Sequence, residues 1–284
     1  MLDPVSFPVT DQTLDQALDL RVEGDALSAF LTGTFSNGPQ AGPPEAGAPF
    51  GGLMAALAAR AMRQGLDLKV PLRSLSVQFL AAARFDQDVT LRPRKLRGGR
   101  RVAYTAVEAG QGDRPALHAA GTWGVDSETV VLTPLTKAPP LRAALAAQGR
   151  QMDSPLSPWF TRHVDYVYES GPNFLGGNIG KPVVERLWMR TTDGAPLDAD
   201  RLCFLLDALY PPAWTAFTSP PMMTSVDLRY DILTDPTPEL CPDGWAFFEF
   251  SLLDLGLGWT LDDCVCWGAD GTPIALARQR RKIL

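Results

Sequence analysis

Asp207 is the residue whose surroundings most clearly demand a chemical explanation. It is the only acid between Leu202 and Trp214, within an otherwise apolar run. A carboxylate among apolar side chains must be protonated, paired with a cation or used in a reaction, because burying an isolated charge is unfavourable. Asp207 is therefore the first candidate for a catalytic group.

The sequence lacks the motifs of two common kinds of active site, a metal centre and a serine nucleophile. Neither of the two histidines, His118 and His163, lies in a metal-binding spacing such as H-E-x-x-H, and no G-x-S-x-G nucleophile motif occurs. We therefore predict no metal and no cofactor. All four cysteines fall in the second half and are predicted to be reduced, buried thiols; they are Cys203, Cys241, Cys264 and Cys266.

Composition predicts a protein with an ample core and no nucleic-acid or membrane partner. The 284 residues are 45% hydrophobic and carry a net charge of −6. An acidic chain lacks the electrostatic footprint for nucleic acid or anionic lipid, and no stretch is long enough to span a membrane. We expect a cytoplasmic location. The one basic cluster, at 97–101, is interpreted as a solvated hairpin turn in preference to a phosphate site.

The elements around Asp207 repeat an arrangement from the first half of the chain. The first copy has the run FGG at 50–52, a helix-like run ending at Gly65 and a strand-like run at 74–85. The second has a helix-like run at 201–210, which contains Asp207, and a strand-like run at 224–235. Only the second helix contains an acid, so we expect the chemistry in the second half.

Short β-rich runs with glycine turns follow both helices, which predicts an antiparallel sheet wrapped on each. Two opening strands are predicted before each helix, at 15–24 and 28–36 and again at 162–170 and 183–190. Alignment of the halves places Ser76 beside Ser225 and Gly121 beside Gln279. The predicted domains are 1–125, a linker at 126–158 with a short helix at 141–148, and 159–284.

The motifs FGG, SLSVQFL, LLDALYPP, TSVDL and ARQRR, in this order, resemble the acyl-CoA thioesterase II-like family. The resemblance spans nearly the whole chain and depends on order and spacing, since each motif is short. It implies an α+β fold of two tandem hot-dog units, each a curved antiparallel sheet wrapped around a central helix. It also implies an acyl-CoA substrate, hydrolysed to free acid and coenzyme A in fatty acid metabolism.

The resemblance further implies a catalytic trio of aspartate, hydroxyl residue and glutamine. Asp207 occupies the aspartate position, Ser225 the hydroxyl position and Gln279 the glutamine position. Better-known members have threonine where this chain has Ser225; the exchange keeps the hydroxyl and loosens its rotamer. Asp207 would activate water while the other two orient it. Gly51 and Gly52 are candidates for binding the oxyanion through their amides.

Each member of the trio also has a structural interpretation. Asp207 could be paired with an arginine, Thr224 could be the inward hydroxyl in place of Ser225, and Gln279 could lie on the surface. Asp227 is predicted to share a strand face with Ser225. The alternative functions are a non-catalytic protein that binds acyl chains or coenzyme A and, less favoured, a hydratase, which would need an Asp-His pair. Exposed sheet edges leave homo-oligomer formation open.

Overall fold

Twelve antiparallel strands form one continuous sheet in the structure, a computed structural model that describes residues 7, 9–146, 154–171 and 174–284. The strand order is β1-β2-β4-β5-β6-β3-β9-β12-β11-β10-β8-β7. The strands are β1 (Arg21–Glu23), β2 (Ala26–Leu31), β3 (Leu72–Phe79), β4 (Gln87–Gly98), β5 (Val102–Gln111), β6 (Arg114–Gly124), β7 (Val164–Ser170), β8 (Val184–Thr191), β9 (Met223–Ile232), β10 (Ala246–Gly256), β11 (Trp259–Trp267) and β12 (Pro273–Ile283).

The two halves of the sheet have the same strand order. The first six strands run 1-2-4-5-6-3 and the last six run 7-8-10-11-12-9, and the halves join where β3 pairs with β9. At this junction Leu75 lies opposite Tyr230, and both side chains are buried. The predicted fold of two tandem hot-dog units is confirmed. The division at 126–158 stays a prediction.

The helices of the described residues are α1 (Leu14–Ala17), α2 (Gly51–Gly65), α3 (Arg142–Ala146) and α4 (Ala199–Leu205). The buried face of α2 is rich in alanine, including Ala55, Ala58 and Ala59. Small side chains allow close approach, and α2 packs both on its own sheet and against α4. The two central helices therefore meet in the middle of the molecule. The last two positions of the helix predicted at 141–148 lie outside the described residues.

The second central helix is shorter than predicted, because α4 ends at Leu205 instead of reaching residue 210. The amide of Leu206 still bonds the carbonyl of Leu202, whereas the amide of Asp207 bonds that of Phe204, only three residues back. Two prolines follow at 211 and 212, and proline cannot continue a helix. Asp207 thus lies in a turn just beyond the helix.

Other predicted strands differ at their ends. The strand predicted at 15–24 is wrong in its first part, which is α1, closed by a reciprocal cap between Thr13 and Gln16. The strand predicted at 28–36 ends at Leu31, before a 3-10 turn. The strands predicted at 74–85 and 224–235 end at Phe79 and Ile232.

Two smaller predictions hold. The basic cluster forms the exposed turn between β4 and β5. All four cysteines are free and buried, as expected for reduced thiols. Within the described part of the chain, no helix has the length and apolar character needed to cross a membrane.

Candidate active site

The carboxylate of Asp207 lies at the N-terminus of α2, so that a group from the second half meets the helix of the first. The backbone N–H of Gly52 hydrogen-bonds the Asp207 carboxylate. A Cβ added at Gly51 would come within 2.8 Å of Asp207 Oδ2, which is closer than real Cβ contacts. Glycine at position 51 therefore leaves the space that the carboxylate occupies. The partial positive charge of the helix N-terminus favours a negative group here.

Gln279 connects the other two members of the predicted trio. Its Nε2 donates to Ser225 Oγ at 2.8 Å, and its side chain also hydrogen-bonds Asp207. Gln279 is buried and Ser225 half-buried. The structure therefore brings Asp207, Gln279 and Ser225 together in one hydrogen-bonded chain, and Ser225 is its most exposed member.

A register shift in the β9–β12 pair turns Ser225 inward. Beyond this irregularity Ser225 lies opposite the buried Arg281, whereas Asp227 lies opposite the exposed Arg280. The prediction that Asp227 shares a face with Ser225 is wrong, because the bulge interrupts the regular alternation of side chains. Thr224 is exposed, so the inward hydroxyl is that of Ser225.

Burial makes Asp207 a stronger base than an ordinary aspartate. Desolvation raises its pKa from 3.8 to about 6, against the charge of Arg281 and the hydrogen bonds from Gln279 and Gly52, which lower it. The carboxylate is thus mostly ionised at neutral pH, yet its pKa is close enough to 7 for proton transfer. A pKa of about 6 therefore suits Asp207 to the role of general base.

Two charged residues at this site, Arg281 and Asp262, were not predicted from the sequence. Both are buried, and Arg281 Nη1 donates to Asp262 Oδ2. Arg281 Nη2 donates to Gln279 Oε1 and lies 3.4 Å from Asp207 Oδ1. The sequence also allowed a structural interpretation in which Asp207 pairs with an arginine, and Arg281 is that arginine. Period-2 alternation along β11 was the available signal, since it places Asp262 on the same face as the buried Cys264.

The corresponding positions of the first half carry no such site. Ser76 lies opposite Ala120 and the exposed Arg229, on the outer face of the sheet, so its alignment with Ser225 does not extend to its surroundings. A Cβ added at Gly121 would meet the side chains of Trp123, Thr105 and Met62. In the first half these three side chains fill the space that corresponds to the Gln279 side chain of the second half.

A small cavity of about 10 Å³ lies beside the Asp207 carboxylate, with room for about one water molecule. The charged and amide residues that line it are Asp207, Asp262, Asp263, Gln279 and Arg281. Its apolar lining includes Leu206, Leu209, Pro212, Leu228 and Phe250. Neither histidine lines it, so the Asp-His pair that a hydratase would need is not found around this cavity.

Fold and site together define a double hot-dog protein with a buried, hydrogen-bonded carboxylate where its halves meet. Residues 39–124 match the model of the acyl-CoA thioesterase N-terminal domain, and residues 137–280 match that of the C-terminal domain. The chain therefore belongs to the acyl-CoA thioesterase family and is a thioester hydrolase. The matched ranges include both glycines and the whole trio.

Solved structures show the same fold at low sequence identity. A hot-dog protein of unknown function from Alicyclobacillus acidocaldarius has 18% identity and a TM-score of 0.83, covering 97% of this chain and 99% of its own. The tesB protein of Mycobacterium avium subsp. paratuberculosis has 17% identity and a TM-score of 0.76, covering 95% and 98%. The acyl-CoA thioesterase II TesB2 of Mycobacterium marinum has 16% identity and a TM-score of 0.71, covering 96% and 98%. No curated protein matches the sequence.

Proposed function

We propose that this protein hydrolyses acyl-CoA to a free acid and coenzyme A, with Asp207 as general base for the attacking water. The observation that supports this most is the chain of hydrogen bonds from Ser225 through Gln279 to Asp207, next to a cavity of one-water size. A carboxylate, an amide and a hydroxyl together can hold a water by both its protons and its lone pairs.

The reaction follows from these roles. Water attacks the thioester carbonyl carbon while Asp207 takes one of its protons, and the carbonyl oxygen becomes an oxyanion. Collapse of the tetrahedral intermediate breaks the carbon–sulfur bond. The departing thiolate of coenzyme A then receives the proton from Asp207, which restores the carboxylate. No covalent bond to the protein is needed.

Gly51 is the better of the two glycine candidates for the oxyanion. The Gly52 N–H is already directed at Asp207, so its role is to hold the base. The Gly51 amide, also in the first turn of α2, is the donor that we assign to the carbonyl oxygen.

Substrate access is proposed from the side of Ser225. Phe79 lies 3.3 Å from the Cβ position of Gly51 and is partly buried, as is Ser225. An acyl group is much larger than the one-water cavity, so its chain would lie along this side or displace the apolar lining. We keep the cytoplasmic location, the role in fatty acid metabolism and homo-oligomer formation as predictions.

Thiol release from a series of acyl-CoA esters, from acetyl to palmitoyl, tests this proposal. We expect turnover with at least one ester, and turnover should be lost in Asp207→Asn and kept in Asp227→Asn, whose side chain lies on the outer face of the sheet. Binding of acyl-CoA by calorimetry without any thiol release would refute hydrolysis and favour the non-catalytic alternative.

A further inference from the structure

Arg281 is a buried cation shared between two buried carboxylates. It lies two residues after Gln279 on β12, so both side chains point to the inner face. Asp262 lies directly opposite Gln279 on the neighbouring strand β11. The guanidinium makes a direct hydrogen bond to Asp262 and a longer contact of 3.4 Å to Asp207. Asp262 is therefore its closer partner.

This unequal sharing matters for a base. A guanidinium that paired with Asp207 alone would stabilise its ionised form and make it a poor proton acceptor. A second carboxylate compensates most of that positive charge, since the three ionised groups sum to −1. Removal of Asp262 would leave the charge of Arg281 uncompensated in a site of low dielectric, where charges interact strongly.

The other titratable groups that face Asp207 are neutral near pH 7. Tyr230 on β9 and Cys264 on β11 interact with it electrostatically, and burial raises the pKa of each well above its usual value. On α4, Cys203 interacts electrostatically with Tyr230 and not directly with Asp207, and burial raises the pKa of its thiol above the usual value. From α2 the carboxylate meets the backbone of the glycine pair. After the effect of burial, the charge of Arg281, which is paired with Asp262, is thus the largest influence on the pKa of Asp207, and it lowers that pKa.

We propose that Asp262 is a positioning residue: by hydrogen-bonding Arg281 it holds the guanidinium charge away from Asp207 and keeps Asp207 able to take a proton from water. This inference rests on the function proposed above. Asp262 itself touches no reacting atom in that mechanism and acts through Arg281.

The substitution Asp262→Asn tests this inference, because asparagine keeps the shape and one acceptor for Arg281 but removes the charge. We expect the acid limb of the pH profile of kcat/KM to move down by about 1 to 2 pH units, with a lower plateau because the base is weaker. Arg281→Met should move the limb in the opposite direction. The matched control is Asp231→Asn on the outer face of β9, where the carboxylate pairs with the exposed Arg229, and this change should leave the limb in place.

A titration of the Asp207 carboxyl by ¹³C NMR, assigned with Asp207→Asn, gives a readout that does not need activity. The pKa of Asp207 should fall in Asp262→Asn and stay unchanged in Asp231→Asn. An unchanged titration in Asp262→Asn would overturn the inference, whether or not the protein is active. If the wild-type protein releases no thiol, the proposed function fails and the titration still decides the role of Asp262.

Discussion

Replacing Asp207 by asparagine should change stability in a pH-dependent manner. Burial raises the pKa of Asp207 from 3.8 to about 6 in the folded protein. Between these two values the native state binds more protons than the unfolded state, so the wild-type protein loses stability as pH rises through this window. Asparagine does not titrate, so Asp207→Asn should not show this loss.

The magnitude follows from the two pKa values. A difference of about 2 pH units corresponds to about 3 kcal/mol when Asp207 is fully ionised. Part of that difference is already present at about pH 4. The free energy of unfolding of Asp207→Asn relative to wild type should therefore increase by about 2 kcal/mol from about pH 4 to pH 8. Most of it should develop below about pH 6. Asp207→Asn also alters the contact with Arg281, which shifts the free energy of unfolding of the variant as a whole. The dependence of the difference on pH comes from the titration of the Asp207 carboxyl.

Urea unfolding followed by circular dichroism at several pH values measures this directly. The free energy of unfolding is compared between wild type and Asp207→Asn, so that the titration of other carboxyls cancels. Asp227→Asn, on the outer face of the same sheet, serves as control and should show no such trend. A difference that stays constant with pH, or that shrinks as pH rises, would refute the argument that Asp207 is buried at a desolvation penalty.

Substitutions at three further places, Gly51, Ser225 and the Arg63–Asp200 pair, give distinct expectations. Gly51→Ala should displace the Asp207 carboxylate and lower kcat/KM on the order of 100-fold, with unchanged circular dichroism; unchanged kinetics would show that the contact is irrelevant. Ser225→Ala should lower kcat on the order of 100-fold, whereas Ser225→Thr should retain most of the activity; equal activity of both would remove the hydroxyl from the mechanism. Arg63→Met leaves the buried Asp200 without its main partner and should destabilise by about 3 kcal/mol. Asp200→Asn should destabilise less, because the half-buried Arg63 can hydrate, and unfolding curves that rank the pair in reverse would contradict this.

The repeated arrangement of the chain could be predicted because it depends on local patterns. An alanine-rich helix after Gly51-Gly52 and β-rich runs around glycine turns are visible in the sequence, and the structure has both. Asp207 stood out for a similar reason, as the one acid in an apolar run. Its position beyond the end of α4 was not predicted, because the apolar pattern continues to Tyr210 while the helix stops before the two prolines.

Alternation along β11 could have indicated that Asp262 points inward, but which charged side chains meet Asp207 could not be predicted, because strand register decides those contacts. The register shifts between Arg280 and Arg281, where Val226 of β9 is the extra residue, and this bulge places Ser225 inward and Asp227 outward. Nothing in the composition of β9 marks that position. Arg281 looked like one more cation in the run ARQRR. Only the pairing of β12 with β11 reveals that it meets Asp262.

The difference between the two halves also has a packing explanation. In the first half, the place equivalent to Gln279 is closed by Met62 of α2 and by Trp123 and Thr105, which hydrogen-bond each other at 2.9 Å. That half contributes the N-terminus of its helix, which holds Asp207. We therefore expect one active site for the two hot-dog units.

If Asp207 activates the water that cleaves the thioester, its replacement must slow hydrolysis without unfolding the protein. The most direct measurement is kcat/KM for thiol release by wild type and by Asp207→Asn, with the wild type's preferred acyl-CoA and with both proteins shown to be folded. We expect a loss of about 10²- to 10⁴-fold in Asp207→Asn, the contribution of a general base. Activity of Asp207→Asn equal to that of wild type would contradict this expectation.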